Sequence, residues 1–420
     1  MNRENELIQA LFRQEFSKMV AVIARLYGLD HIELAEDIVS ETFLQATESW
    51  AAKGRPEHPV AWLYAVAKQK TLYHFRRDKI YTKKVLPQVR AGTDQASAEH
   101  AASEMDADID FSLQNIQDSQ LRMMFAICSP LIVSEAQIGL ALRILCGFSI
   151  DEIAEAFLSN KEAINKRLFR AREKLRDENV CLDLPSEKEI GLRLDNVLHT
   201  IYLLFSEGYY SSTHTRILRK DLCLEALRLG LMLIDCPLTN TPKTNALVAL
   251  MCFHASRFEA RQGNGEEGLI LYDDQSEERW DKDLITRGHH FLEAAAHGDE
   301  ISPYHLEAGI AFWHCQKKDT PEKWQRILQY YDLLLKINYS PTVALNRIYA
   351  LYKVRGREMA LAEAEKLQWM NNHFYYTLLG ELYKGLDDRK AKAGYEKALA
   401  LARTEADRQI LQQAIEKLEK

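Results

Sequence analysis

The sequence lacks an unbroken apolar run of the roughly 18 residues that a membrane-spanning helix needs. Its first residues, 1–14, are polar and charged rather than basic and then apolar, so we expect no signal peptide and a cytoplasmic protein. Seven cysteines are scattered and never paired at short spacing, which favours buried, reduced thiols over disulfides or a zinc site. Strand-like alternation is almost absent and helical periodicity dominates, so the sequence predicts an all-α fold.

An excess of basic charge is missing as well, because the formal net charge is -7. Any nucleic-acid binding must then come from local basic patches. Residues 61–90 carry eight basic residues and one acid, and residues 160–176 carry seven basic residues and two acids. Between them, residues 91–120 hold seven acids and no Lys or Arg. This order of charge is unlike an ordinary soluble surface and predicts two binding modules joined by an acidic segment.

The chain is too long for one ordinary core, and two to four domains are expected. Apolar spacing predicts three helices in the first module, separated from a second helical block, which begins at Gln120, by a linker rich in Ala, Ser and Asp. A long series of helices follows. The predicted division is a first module at 1–87, an acidic linker at 88–119, a second module at 120–180 and an extension at 184–420.

The last part of the chain has an internal repeat. Leu379-Gly380-x-x-Tyr383, followed by Ala391-x-x-x-Tyr395-x-x-Ala398, is typical of a tetratricopeptide repeat, although the interval between the two halves is one residue short. Weaker versions occupy residues 324–341 and 344–364. Such helix pairs bury their apolar faces only by stacking, so we expect a helical-repeat extension whose last helix, from Glu405, is a polar cap.

The first basic module contains four motifs in a fixed order. They are residues 37–43 (DIVSETF), Pro59-x-x-Trp62-Leu63, Ala67-Lys68 and Phe75-Arg76-Arg77-Asp78. Together they resemble region 2 of the sigma factors of bacterial RNA polymerase, in particular the extracytoplasmic-function group. The alternative is a solvated basic helix face on an ordinary helical bundle.

The resemblance implies a role for each matching position. Asp37, Glu41 and Phe43 would bind core RNA polymerase. Arg55 and His58, in the loop before Pro59, would hold a flipped base of the upstream −10 promoter element. The melted strand would be bound by a basic and aromatic set, as single-stranded DNA requires. That set is Lys68, Tyr73, Arg76 and Arg77.

The second basic module has the pattern of a helix-turn-helix. A helix over 134–145 ends at Cys146-Gly147, Ser149 is a good N-cap for the next helix, and Asn160 or Ser159 precedes a basic helix that starts at Lys161. The segment resembles region 4 of the same sigma factors, and the alternative is a capped amphipathic pair without a DNA role. The resemblance implies that one set of residues approaches base edges of the −35 element and a second set contacts phosphates. The first set is Lys161, Glu162, Asn165, Lys166 and Arg167, and the second is Arg170 and Arg172.

Two segments of the extension, residues 201–210 (IYLLFSEGYY) and 271–281 (LYDDQSEERWD), resemble the extension of a subgroup of extracytoplasmic-function sigma factors with tetratricopeptide-like repeats. Because nothing in the extension looks catalytic and the basic clusters all lie before residue 177, we expect it to contact protein, either the sigma modules or the polymerase, and to tune activity without adding promoter specificity. The resemblance to regions 2 and 4 implies that the acidic linker between them threads through the polymerase, and the alternative is a solvated tether.

Chemistry-bearing residues are sparse. His290, Glu293 and His297 are spaced to share a helix face and are the best metal candidates, but a zinc-protease motif is missing, and such histidines more often pack in helical cores. We therefore expect no enzyme, metal or cofactor, and the partners are core RNA polymerase and promoter DNA, with no membrane. The alternatives that stay open are a tetratricopeptide scaffold, a non-sigma transcription regulator and a metal-dependent enzyme using the His290 region.

Overall fold

The computed structural model describes residues 3–80, 109–157, 159–210, 219–261, 270, 272–367, 371–402 and 405–418. Within these ranges the chain forms nineteen α-helices and no strand, so the predicted all-α fold is confirmed. No helix in the described ranges is long and apolar enough to cross a membrane. The helices divide into an N-terminal unit, residues 1–200, and a C-terminal unit, residues 201–420.

The N-terminal unit consists of seven helices, a single 3₁₀ turn, a single π turn and the start of an eighth helix. The helices are α1 Arg3–Tyr27, α2 Ile32–Lys53, α3 Pro59–Ile80, α4 Leu113–Ile127, α5 Ser134–Leu140, α6 Ile150–Ala156, α7 Lys161–Asp177 and α8 Glu187–Tyr210, with the 3₁₀ turn at Leu29–His31 and the π turn at Ala141–Leu145.

Helix α1 lies at the centre of the N-terminal unit. Phe16, Met19, Val20 and Ile23 are fully buried, and residues 19–24 are buried without a break. A helical segment that is apolar on all sides, as residues 19–24 are, needs neighbours all round it. Helices α2, α3 and α4 and the π turn supply these neighbours, so both predicted modules pack on the same helix.

Local sequence signals fix several helix ends. Ser149 accepts a hydrogen bond from the Glu152 backbone and the Glu152 side chain accepts one from Ser149, which completes a capping box. Asn160 caps α7 by accepting from the Ala163 backbone. Gly54 ends α2 at a φ of 82°, where other residues are strained. The helix predicted over 134–145 changes to a π turn in its second half.

The second helical block begins before the predicted Gln120, since α4 starts at Leu113. Ile109 and Ile116 are buried against Val22. The Phe111 ring stacks on Tyr64 of α3 at a centroid distance of 4.9 Å. These residues belong to the end of the predicted acidic linker, and the rest of that linker, up to residue 108, lies outside the described residues. The end of the linker is therefore part of the core of the unit.

The C-terminal unit contains the end of α8 and eleven further helices. They are α9 Lys220–Asp235, α10 Pro242–Ala255, α11 Phe258–Arg261, α12 Lys282–Ala295, α13 Pro303–His314, α14 Pro321–Ile337, α15 Pro341–Arg355, α16 Arg357–Leu367, α17 His373–Tyr383, α18 Asp388–Leu401 and α19 Glu405–Leu418.

From α13 onward each helix packs on the next one in the chain, as expected for stacked helix pairs. A close contact joins α17 and α18, where a Cβ added to Gly380 would lie 2.7 Å from the Tyr395 ring. Leu411 of α19 is buried beside Tyr395 and Ala398. A helical C-terminal domain is thus confirmed, while its assignment to the tetratricopeptide class stays a prediction.

Charged side chains are buried inside the C-terminal unit. The Lys323 side chain is 1% exposed, and its Nζ donates to Tyr272 Oη at 3.1 Å, to the Gln316 carbonyl at 2.7 Å and to Asp319 Oδ1 at 3.3 Å. Lys353 binds the other oxygen of Asp319 at 3.2 Å. Lys323 belongs to α14 and Lys353 to α15, so these bonds connect both helices with Tyr272 of the 271–281 segment. Tyr272 therefore has a structural role in holding this segment against the two helices.

Candidate nucleic-acid interface

The outward face of α2 combines acidic and apolar side chains. Asp37 and Glu41, one helical turn apart, are both exposed. Leu44, a further turn along, is 60% exposed. Glu41 Oε2 lies 3.2 Å from Lys70 Nζ of α3, an exposed ion pair that contributes little to stability. The face is therefore available for a partner.

Phe43 does not belong to this face. It is 5% exposed, and its ring lies edge-on to Phe12 of α1 at a centroid distance of 5.0 Å. Its side chain fills the core of the first module, so it is not exposed for the direct contact with polymerase that the resemblance implied. The exposed apolar side chain at this point of the helix is Leu44, which the sequence analysis did not single out.

The loop between α2 and α3 presents Arg55 and His58, both of which are exposed. The His58 carbonyl accepts from the Trp62 backbone at the start of α3, at 3.1 Å. Trp62 in turn lies edge-on to Trp50 at the end of α2, at 5.6 Å. The two tryptophans thus fix the loop from both sides, and its polar side chains face solvent.

Helix α3 carries a solvent-facing stripe with a four-residue period. The exposed positions are Ala61, Ala65, Gln69, Tyr73 and Arg77. Tyr73 is 62% exposed, so much of its ring is open to solvent. An exposed aromatic ring beside a basic residue can stack on an unpaired base while the cation meets the phosphates.

The other basic residues of α3 lie beside this stripe. Lys70 forms the ion pair with Glu41 described above. Lys68 is half-buried and close to Asp110, whose pKa is lowered chiefly by the hydrogen bonds from Ser112 and further by the charge of Lys68. Arg76 is part of α3, but its side chain lies outside the described residues. The stripe therefore presents Tyr73 and Arg77 most directly.

Helix α7 buries Ile164, Leu168, Ala171 and Leu175 on one side. Gly139 of α5 lies against this side, where an added Cβ would be 2.9 Å from Leu168. The opposite side therefore faces solvent over three turns. Its exposed residues are Glu162, Asn165, Lys166, Phe169, Arg170 and Glu173.

Two predicted base-contacting residues have partners at the start of α7. Lys161 is exposed and pairs with Asp151 of α6 at 3.0 Å. The guanidinium of Arg167 lies over the Phe157 ring at 5.7 Å. Both side chains brace the turn between the two helices, so Asn165 and Lys166 are the freer candidates for contacting bases.

Arg172 differs from its predicted role as a phosphate contact. Its Nη2 lies 2.8 Å from Glu36 Oε2 and its Nη1 lies 3.4 Å from Glu33 Oε1, both on α2 of the first module. Its side chain is only 15% exposed. A guanidinium that is bound by two carboxylates is not open to a phosphate in this arrangement.

Phe169 is a candidate that the sequence analysis missed. It is 53% exposed between Lys166 and Arg170 on the outward side of α7. Phenylalanine at a major-groove surface can contact the methyl group of thymine. The available signal was its spacing, since Phe169 lies outside the 164, 168, 171, 175 series that faces the core.

The His290 region shows no assembled metal site. Among the described residues no group of three or more His, Cys, Asp or Glu side chains is placed to hold a metal ion. His289 Nδ1 lies 3.4 Å from Glu293, and His297, just after the end of α12, contacts the Ala294 carbonyl of that helix. These are local contacts at the exposed side of a helix end, typical of a surface rather than a ligand set.

Comparison with known proteins agrees with this geometry. Residues 11–80 match the family described as Sigma-70 region 2, which covers α1 to α3. Residues 193–296 match a family of unknown function, DUF6596, which covers α8 to α12. No solved structure matches the chain.

An uncharacterized protein of Rhizobium meliloti is 31% identical over 388 residues, which cover 91% of this chain and 89% of that protein. The similarity therefore extends through both units and is not limited to the sigma-70 region 2. The chain belongs to the same family as the Rhizobium meliloti protein, and with a sigma-70 region 2 at residues 11–80 it is a sigma-factor-like protein of promoter recognition and transcription initiation.

Proposed function

We propose that this protein is a sigma factor of the extracytoplasmic-function type that directs core RNA polymerase to promoters and helps to open the DNA. The observation that carries the proposal is the exposed Tyr73–Arg77 stripe on α3, within the sigma-70 region 2. An exposed ring with a basic residue one turn further along the same helix suits a protein that captures unstacked bases, because the ring can stack on a base while the cation meets the phosphates.

The acidic face of α2 is the proposed polymerase-binding surface. Asp37 and Glu41 provide its charge and Leu44 its apolar contact, since an apolar anchor surrounded by charges is the usual composition of a stable protein interface. Phe43 supports this surface from within the core. The face lies on the helix before the Arg55–His58 loop, so polymerase and DNA would contact adjacent parts of one module.

The −10 element is assigned to the Arg55–His58 loop and to α3. The loop offers two exposed polar side chains for an extruded base, and the Tyr73–Arg77 stripe continues along the strand. Lys68 and Arg76 complete the proposed strand-binding set. Because Lys70 pairs with Glu41, we place it between the two surfaces rather than in the DNA path.

The −35 element is assigned to the outward side of α7. Asn165 and Lys166 are the proposed base-reading residues, because asparagine recognises adenine and lysine recognises guanine in the major groove. Arg170 contacts phosphate, and Glu162 and Phe169 border the reading surface. Lys161 and Arg167 hold the turn through Asp151 and Phe157 and contact DNA only secondarily.

The extension, residues 184–420, is proposed to contact protein and to regulate the two modules. Its sequential stack of helices from α13 to α19 provides an extended surface of the kind that binds peptides or domains. Its buried Lys323 is bound internally by Tyr272, Gln316 and Asp319, so this cation is used within the unit. The predicted boundaries at residues 87 and 180 are kept as part of this proposal, whereas the second module begins before the predicted residue 120, because α4 starts at Leu113.

Transcription with purified core polymerase on a promoter library tests the function. We expect promoter-dependent transcripts from the full chain. Tyr73→Ala should lose activity on duplex templates and regain most of it on templates that are already melted at the −10 element, because the ring is needed only to trap the open strand.

Gln69→Ala is the matched control, since Gln69 is exposed one turn earlier on the same stripe. It should leave activity on both templates unchanged. If the wild-type chain yields no promoter-dependent transcript, the sigma-factor proposal is wrong, and a scaffold function of the helical extension becomes the better account.

The second module is tested by exchanging its exposed residues. Asn165→Ala should cost about 1–3 kcal/mol at one base pair of the −35 element and relax the preference there. Arg170→Ala should weaken binding to every sequence alike and reduce its salt dependence. A pair of variants that both leave the −35 preference and the salt dependence unchanged contradicts the assignment of α7.

A further inference from the structure

The first half of α8 begins after the predicted boundary at residue 180, yet it packs as part of the N-terminal unit. Ile190, Leu194, Val197 and Leu198 are all buried, and they recur at the spacing of one helix face. The opposite side, at residues 188, 192, 195 and 199, is exposed. Helices gain most of their stability from packing such an apolar face, so the N-terminal unit holds this part of α8 in place.

The side-chain amide of Gln137 on α5, which is 4% exposed, connects α8 to the second module. Its Nε2 donates to the Ser129 carbonyl at 2.8 Å and to the Ile132 carbonyl at 2.9 Å, so both of its protons are used. Its Oε1 lies 2.7 Å from Thr200 Oγ1 of α8. Because Oε1 can only accept, the Thr200 hydroxyl donates this bond. One buried amide thus joins α8, α5 and the turn before α5.

A second bond connects α8 to the end of α4. Arg193 Nη2 donates to the Phe125 carbonyl at 2.8 Å. The last four carbonyls of a helix have no partner within that helix, and α4 ends at Ile127, so the Phe125 carbonyl needs an outside donor. Phe125 is 1% exposed, which leaves little room for water in that role. Arg193 therefore fixes α8 against α4 as Thr200 fixes it against α5.

The reading helix α7 rests on the same helix that α8 holds. Gly139, two residues after Gln137 on α5, lies against α7, where an added Cβ would be 2.9 Å from Leu168. Leu168 is on the buried side of α7, and Asn165 and Lys166 are on the outward side. Protein interiors are close-packed, so a shift of α5 is passed on to α7. The contacts therefore run without interruption from α8 through α5 to the DNA-reading side chains.

Resting on the proposed function, we propose that residues 187–200 of α8 position the −35 reading helix, with Thr200 and Arg193 as the positioning residues. Thr200 is 1% exposed, so it acts through Gln137 and not by touching DNA. The start of the extension adds no base contact of its own. It sets the placement of α7 as a whole, and with it the placement of every side chain that reads the −35 element.

Transcription with core polymerase on a promoter library randomised at the −35 element tests this role. Thr200→Val keeps the shape of the side chain and removes the donor to Gln137. It should relax the preference at all −35 positions together and lower promoter affinity by about tenfold, because fewer molecules have α7 correctly placed. Asn165→Ala should relax one position only. Thr200→Ser retains the hydroxyl and should restore both the preference and the affinity.

Thr42→Val is the matched control. Thr42 is also fully buried in a helix, but its hydroxyl donates only to the Ile38 carbonyl of that helix, at 2.8 Å. The −35 preference of this variant should equal that of the wild type. A lower melting temperature with an intact −35 preference in Thr200→Val overturns the inference alone, because the hydroxyl then only stabilises the fold. Absence of any −35 preference in the wild type overturns the assignment of α7 and this inference with it.

Arg193→Met provides the test if circular dichroism shows that Thr200→Val does not fold. It removes the donor to the Phe125 carbonyl from a half-buried position and should also relax the −35 preference as a whole. Lys188→Met, on the exposed side of the same helix, should leave the preference intact. Equal −35 preferences in these two variants contradict a positioning role for α8.

Discussion

The two units use charge in opposite ways. In the N-terminal unit the basic helices α3 and α7 keep Tyr73, Arg77, Lys166 and Arg170 on the surface, and the buried carboxylate Glu36 lies where two modules meet. In the C-terminal unit Lys323 is buried within one stack of helices. Charge at the surface serves binding, while buried charge determines which packing is stable. Substitutions of charged residues should therefore alter binding in the first unit and folding in the second.

The largest effect is expected at the acidic face of α2. Asp37→Lys combined with Glu41→Lys should abolish co-purification with core polymerase, because both side chains are exposed and their charge would be reversed. Helical circular dichroism should be unchanged. Glu396→Lys with Glu416→Lys makes the same charge change at exposed sites of the C-terminal unit and should leave co-purification intact. Retention of polymerase by the α2 variant would remove this face from the interface.

Substitution of Lys323 is expected to affect folding rather than binding. Lys323→Met should destabilise the C-terminal unit by roughly 2–4 kcal/mol, because the Tyr272 hydroxyl and the Gln316 carbonyl lose their buried donor. Faster amide hydrogen exchange in α13 and α14 would report this loss. Lys336→Met, at an exposed position of the same helix, should change exchange little. Similar exchange in both variants would show that Lys323 is not structural.

Acidification should weaken the C-terminal unit. Burial lowers the pKa of His314 to about 3 and that of His254 well below 6.5, so the unfolded chain binds protons that the folded chain does not as pH falls below 6.5. Each histidine then lowers the free energy of unfolding by up to about 1.4 kcal/mol per pH unit of acidification. Burial raises the pKa of Glu307 from 4.5 to about 7. The protonated carboxyl group therefore stabilises the folded state at low pH, and this stabilisation is lost between pH 4.5 and 7 as pH rises.

The two histidines outweigh the one carboxyl group, so net stability should fall on acidification. Hydrogen exchange in α10 and α13, corrected for the intrinsic exchange rate, measures this trend. Glu307→Gln should make the fall steeper and His314→Gln should make it shallower. The reverse order of the two variants would contradict the assigned pKa directions.

The smallest change in stability is expected for alanine substitutions at two helical glycines. Gly380→Ala in α17 should destabilise by about 1–3 kcal/mol, because its Cβ would lie 2.7 Å from the Tyr395 ring. Gly191→Ala in α8 meets nothing within 4 Å and should stabilise by roughly 0.5–1 kcal/mol through helix propensity. Thermal unfolding of the two variants compares a crowded with an open helical glycine. A gain in stability at Gly380 would mean that α17 and α18 are less tightly packed.

Local features of this protein could be predicted from sequence. The capping residues Ser149 and Asn160 mark the helix-turn-helix, and the helices before and after Gly54 follow the apolar period. The Gly380-to-Tyr395 pattern identified one of the close helix contacts of the C-terminal unit. Each of these depends on residues within a few turns of one another, where the helix period limits the possible geometry.

Phe43 shows how a motif can mislead. It lies six residues after Asp37, which corresponds to about 240° around the helix, so the two side chains face different directions. The resemblance to a known motif placed both in one binding surface, whereas the helix period alone places Phe43 towards the core. The exposed residues Leu44 and Phe169 could have been found in the same way, by asking which large side chains fall outside the apolar series.

Long-range contacts could not be predicted. Glu36 and Arg172 are separated by 136 residues, and neither is unusual in its own helix. Nor does the acidic composition of residues 91–120 indicate that Ile109 and Phe111 pack on the first module, because a few apolar residues are easily lost among many acids. Such contacts follow from the tertiary arrangement of the modules, about which local periodicity contains no information.

The π turn at Ala141–Leu145 makes the contact between Arg143 and Glu36 sensitive to chain length. A π turn contains one residue more than an α-helical turn, and each residue rotates the helix by about 100°. Loss of a single residue before Arg143 would turn its side chain away from Glu36 and leave this buried carboxylate without one of its two arginine partners. The length of one turn therefore determines whether α2 and the π turn are joined through a buried ion pair.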